Sequence, residues 1–200
     1  MKAMIAGFAA ASQAPDLFSL GRAAQAAAQA ATGGRGVFGC NTFIATSLPM
    51  LSEATRLGRR GLLRLFLPAE EPVEQQERRL AEMAELVREG LLLDGVVPTP
   101  EADYLGLATL LFFARCRLTL AGVPHVLVDL DRLGPKLGQL ALAFGADELC
   151  GPIVEKRALR LGDSAGSRAI TRAEAAQLLR GAGLHAWEHV AGGALEEFAP

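Results

Sequence analysis

The chain has 200 residues, half of them apolar, and a formal charge of −2 at pH 7. That length suits one domain with a real hydrophobic core, or one domain plus an extension. The near-neutral balance offers no basic surface for nucleic acid and no charged tail, and no run approaches the ~18 apolar residues of a membrane span.

Three cysteines, Cys40, Cys116 and Cys150, form neither a complete disulfide set nor a metal-binding spacing, which points to a reducing cytoplasm. The N-terminal MKAMIAGFAAASQA faintly mimics a signal peptide, but its apolar run is mostly Ala and is broken by Gly7.

Residues 15–31 read as an Ala-rich helix with Leu17, Leu20 and Ala24 on one face, stopped by Thr32-Gly33-Gly34. VFGCNTFI (37–44) predicts a short strand, and LSEATRLGRR a brief helix after Pro49. A regular alternation follows. GLLRLFLP (61–68) is a continuous apolar strand with one Arg, the pattern of a strand covered on both faces. Glu71-Pro72 opens a helix whose apolar positions Val73, Gln76 (the one polar break), Leu80, Met83 and Val87 follow 3-4-3-4 spacing, and Gly90 ends it. LLLDGVVP (91–98) is the next strand, and Thr99-Pro100 caps a long apolar helix through Ala121. VPHVLVDL (123–130) and PKLGQLALAF (135–144) form a third strand and helix, and ELCGPIV (148–154) a fourth strand. Thr171 and Glu174 make a capping box for a last helix, before HAWEHV (185–190) as a final strand or tail. DSAGSRA (163–169) reads as a flexible loop. Strand–helix–strand repeats at this spacing require parallel strands, so the fold class is α/β.

Several patterns fit catalytic motifs by letter and fail on context. Gly34-x-Gly36-x-x-Gly39 is preceded by a helix and followed by a strand, the reverse of a dinucleotide fingerprint, so it reads as a loose turn. His185-x-x-Glu188-His189 matches an inverted zinc-protease motif, which needs a helix; on a strand its two histidines lie about 13 Å apart, too far to share one zinc. Cys116 and Cys150 read as core thiols. Arg64, the lone charge in its strand, either binds an anion or, by default, pairs with a carboxylate such as Glu70.

GPKLGQLALAFGADEL (134–149), with Gly134-Pro135-Lys136, Gly138-Gln139 and Phe144-Gly145-Ala146-Asp147 together, resembles the closing segment of radical S-adenosylmethionine barrel enzymes. The similarity spans about residues 51–185 and points to the menaquinone-pathway members, aminofutalosine synthase and dehypoxanthine futalosine cyclase, and to the related deazaflavin-forming synthases. TRAEAAQLLRGAGL resembles the family's last helix, and APDLFSLGRAAQAA the helix before its barrel. The resemblance implies a partial, half TIM-type β/α barrel with parallel strands, preceded by an Ala-rich N-terminal helix. Residues 1–50 would be the helical extension with a possible first strand, and 51–200 the half-barrel domain. The family's front half carries a CxxxCxxC loop for an iron–sulfur cluster. Here the three cysteines are widely scattered, and only Phe43 to Leu51 occupy the place of that half. An internal deletion is the economical explanation.

The resemblance therefore implies a non-catalytic, cluster-less accessory or ligand-binding protein linked to the futalosine pathway. The alternatives are a small cluster-independent enzyme on a futalosine-like nucleoside, or a relic without function. No metal and no cofactor are expected. The expected partners are a second copy of the chain or a related pathway enzyme, with a nucleoside-like small ligand and neither nucleic acid nor membrane. In a barrel, ligands meet the C-terminal ends of strands. That places Asp129, Asp131 and Glu155 as candidate ligand-binding residues, the bland reading being that they cap helices or face solvent. His125, at the opposite end of its strand, reads as a structural hydrogen-bonding residue.

Overall fold

A computed structural model describes residues 16–39, 44–45, 48–56, 61–101, 106–155, 169–190 and 194–199. The N-terminal segment, Cys40 and most of the 163–169 loop lie outside them. In chain order the elements are α1 (Leu17–Thr32), β1 (Arg35–Phe38), β2 (Ile44–Ala45), α2 (Leu48–Arg56), β3 (Gly61–Leu67), α3 (Val73–Arg88) and β4 (Leu93–Pro100). They continue with α4 (Leu107–Thr119), β5 (His125–Asp129), α5 (Leu130–Ala143), β6 (Glu148–Cys150), β7 (Ile153–Val154), β8 (Ile170–Thr171), α6 (Arg172–Gly181), β9 (His185–His189) and β10 (Leu195–Glu197).

The central sheet has eight strands in the order β10-β9-β1-β6-β5-β4-β3-β2. Every pairing is parallel except β10 with β9. The chain is therefore α/β, and β3 to β6 lie side by side in chain order, as successive strand–helix units require. The sheet is not closed: β2 lies at one edge and β10 at the other. β1 sits between β6 and β9, so the segment before residue 51 is part of the same sheet, and Leu20, Ala24 and Phe38 share one core with the rest.

Strand alternation divides the sheet into two unlike faces. Leu63, Leu65, Val96, Val126, Val128, Leu149, Phe38 and Ala186 point to one face and meet apolar residues of α1, α3, α4, α5 and α6. Leu62, Val97, Leu127 and Cys150 point to the other and form a small second cluster that contains no helical residue. Among the described residues, the main core thus lies on one face alone. The polar break in α3, Gln76, is buried and satisfied: its amide donates to the Glu71 carbonyl at 2.9 Å and its oxygen accepts from Arg115 at 3.0 Å. The capping box at Thr171 and Glu174 is formed as expected.

Three expectations need correction. The helix after Thr99-Pro100 starts at Leu107, because those two residues extend β4. The segment 148–154 is not one strand. It breaks at Gly151, whose φ is +126°, and β7 leaves the main sheet to pair with β8. The 37–44 segment contributes two separate pieces, β1 and β2, on distant sides of the sheet. β2 pairs with β3 only at Leu62 and Leu63, so Gly61 and Arg64 to Leu67 lack a sheet partner on that side among the described residues.

Candidate functional site

The opposite face, helix-free among the described residues, carries the chemistry. Arg64 extends from β3 along this face, its side chain 19% exposed. One guanidinium nitrogen donates to Asp129 Oδ2 at 2.9 Å and to Thr99 Oγ1 at 3.3 Å. The partner of Arg64 is therefore Asp129, two strands away, and not Glu70. Asp129 is fixed in turn. It is the N-cap of α5, and its Oδ1 accepts the Asp131 N–H at 3.1 Å. Thr99 and Asp129 both lie at the C-terminal ends of their strands, where parallel sheets present ligand-binding groups.

The other two candidate carboxylates stand apart from this pair. Asp131 is exposed on the first turn of α5. Glu155 is exposed just beyond β7, and its charge acts on Arg172.

A second polar set centres on Glu148, a residue that sequence reasoning passed over. Register aligns Leu127, Glu148, Val37 and Trp187 in one row across β5, β6, β1 and β9. Glu148 is 3% exposed. His125 Nδ1 approaches its Oε2 at 3.8 Å and His189 Nε2 its Oε1 at 3.5 Å. The Oε1 atom is closed from solvent and has no hydrogen-bond partner among the described residues. Arg35 stacks over Trp187, 5.8 Å from the ring centroid. The chain has three histidines and one tryptophan, and strand parity puts all four on this face. The readable signal for Glu148 was the one that drew attention to Arg64: a single charge within an apolar strand.

Beneath Glu148 lies the most buried charge network. Asp147 and Arg117 are 0% and 2% exposed and form an ion pair. Asp147 also binds His125 Nδ1 at 2.5 Å and accepts the Val126 N–H at 2.8 Å. Arg117 donates to the carbonyls of Gly145 at 2.8 Å and Pro124 at 3.2 Å. His125 thus makes a structural hydrogen bond through Nδ1, as its place at the start of β5 suggested.

Burial alone disfavours a charged His125 ring, but the hydrogen bond and charge of Asp147, followed by the charge of Glu148, outweigh it and raise its pKa. A raised folded-state pKa means that the fold favours protonated His125. That stabilisation is complete below the unfolded value of about 6.5 and is lost as pH climbs through the folded value. Thermal unfolding from about pH 6 to pH 9 should therefore show the melting temperature falling, and His125→Gln should flatten the slope. A wild-type slope unchanged by this substitution would place the titration elsewhere.

The histidine–glutamate motif at 185–189 lies on a strand, with Glu188 turned to the opposite face, where it pairs with Arg172. Among the described residues, no group of three or more His, Cys, Asp or Glu side chains is arranged to hold a metal ion. The two described thiols do not converge on a cluster site either. Cys116 is in the helix-side core, where burial pushes its thiol pKa up, and Cys150 is on the helix-free side, donating to the Val128 carbonyl at 3.2 Å. No described helix is long and apolar enough to cross a membrane. In comparisons with known proteins, no family model and no curated protein matches the chain.

Proposed function

We propose that this chain is a cluster-less relative of the futalosine-pathway radical enzymes, built on a half-barrel, and that it binds a nucleoside-like ligand as an accessory protein. One observation carries the reading. The main core lies on one face of consecutive parallel strands, as on the outside of a barrel, and the opposite face gathers Arg64, Asp129, Glu148, the three histidines and the tryptophan. In a doubly wound sheet helices cover both faces; in a barrel the helix-free face is the interior that holds the ligand. Thermal-shift screening with nucleosides is the test. A selective upward shift is expected with purine nucleosides, and Arg64→Gln should weaken it. Silence across the whole series would remove the binding reading and leave the relic or partner readings.

A second reading, a small enzyme acting without a cluster, is favoured by the His125–Glu148–His189 grouping, since imidazoles beside a carboxylate suit proton transfer. Turnover of a bound nucleoside would separate it from simple binding.

An association partner belongs to the same proposal. The unpaired stretch of β3 and the 43% exposed Phe66 form an open edge that a second copy or a related enzyme covers. Light scattering should report a homodimer that Phe66→Glu converts to monomer. A monomer whose mass is unchanged by the substitution would refute self-association.

A further inference from the structure

Glu148 is the least explained group on the helix-free face. A carboxylate removed from water ordinarily has its lone pairs filled, because a buried acceptor without a donor is destabilising. Asp147, its neighbour, obeys this rule with three partners. Glu148 does not: among the described residues its Oε1 has no hydrogen-bond partner, although the side chain is 4% exposed. The groups around it are poised rather than closed. His125 and His189 flank its two oxygens, and their side chains are 30% and 27% exposed. His125 is held from behind by its hydrogen bond to Asp147, which leaves His189 as the wall whose rotation would open the site. Rotation of His189 about its side-chain bonds would uncover the Glu148 oxygen it now lies against.

The occupant this geometry calls for is a hydrogen-bond donor. Two carboxylate oxygens accept side by side, which matches two adjacent hydroxyls better than one. Arg35 and Trp187 stand on the same face, with Trp187 in the same row as Glu148 and Val37 between them, so a flat ring has a stacking surface near the diol. We propose that Glu148 reads the hydroxyls of a vicinal diol, such as that of a ribose, with His125 and His189 as side walls. The inference rests on the reading that this face binds a nucleoside-type ligand, and it assigns which part of that ligand meets which residue.

The experiment uses the ligand side first, so that it does not depend on a variant folding. Adenosine, 2′-deoxyadenosine and 3′-deoxyadenosine are titrated against the wild-type chain by calorimetry and by the fluorescence of its single tryptophan. Removing either hydroxyl should weaken binding on the order of 10- to 100-fold, the range for a hydrogen bond to a charged acceptor. Glu148→Leu should bind the three nucleosides alike. Equal binding of all three by the wild-type chain overturns the diol assignment and leaves nucleoside binding standing. If none of them binds, the broader reading fails and this one fails with it.

Discussion

Replacing Asp147 with alanine is expected to cost about 3–5 kcal/mol of folding stability, the range for breaking a buried ion pair from one side. Arg117, 2% exposed, would keep its charge with no counter-ion, the Val126 N–H would lose its acceptor, and His125 its anchor. For a domain of this size the melting temperature should fall by about 10 °C or more. Urea unfolding of the purified variant measures it, and a loss under about 1 kcal/mol would mean that the network is wet rather than buried.

The second large effect is expected at Gly145. Its φ is +96°, and an added Cβ would lie 2.8 Å from Arg117 Cβ and 2.9 Å from Ala24 Cβ. Gly145→Ala therefore combines left-handed strain with overpacking between α1 and α4, for about 2–5 kcal/mol in all. It also displaces the carbonyl that Arg117 binds. A melting temperature within about 2 °C of wild type would show that the turn relaxes freely.

Both effects fall in Phe144-Gly145-Ala146-Asp147, the segment that carried the family resemblance. The fold gives that segment a plain physical role. Gly145 makes the turn out of α5, Ala146 is fully buried, and Asp147 ties α4 to β5. Gly138, in the same matched stretch, lets α5 approach β5, since an added Cβ would lie 2.9 Å from Leu130 and 3.1 Å from Val128. The matched residues described in this way are packing devices, and they bear on architecture more directly than on chemistry.

The parts legible beforehand were those fixed by local pattern. Gly90, Gly145 and Gly183 mark turns as read, the capping box forms, and the apolar runs of β3 to β6 sit side by side. What could not be read was set by register between distant segments. Arg64 finds Asp129 across β4 only because the strands align as they do. Glu148 meets His189 across β1, and no spacing along the chain links them. Of the site, the sequence singled out Asp129, Arg64 and His125 one at a time; their grouping is a property of the sheet.

The position of β1 has a consequence for the order of assembly. The strands β3 to β6 meet one another in chain order, so they can pair among themselves as soon as they are made. β1 is synthesised before all of them, yet one of its partners is β6 and the other is β9, near the far end of the sequence. Val37 and Phe38 must therefore wait, unpaired, while most of the chain emerges, and closing so long a loop is a late step. β6 can take one side of β1 once it is in place, and the arrival of β9 completes the other. The N-terminal helix and the last parallel strand should then gain protection from hydrogen exchange together, after the central four strands, although they lie at opposite ends of the sequence.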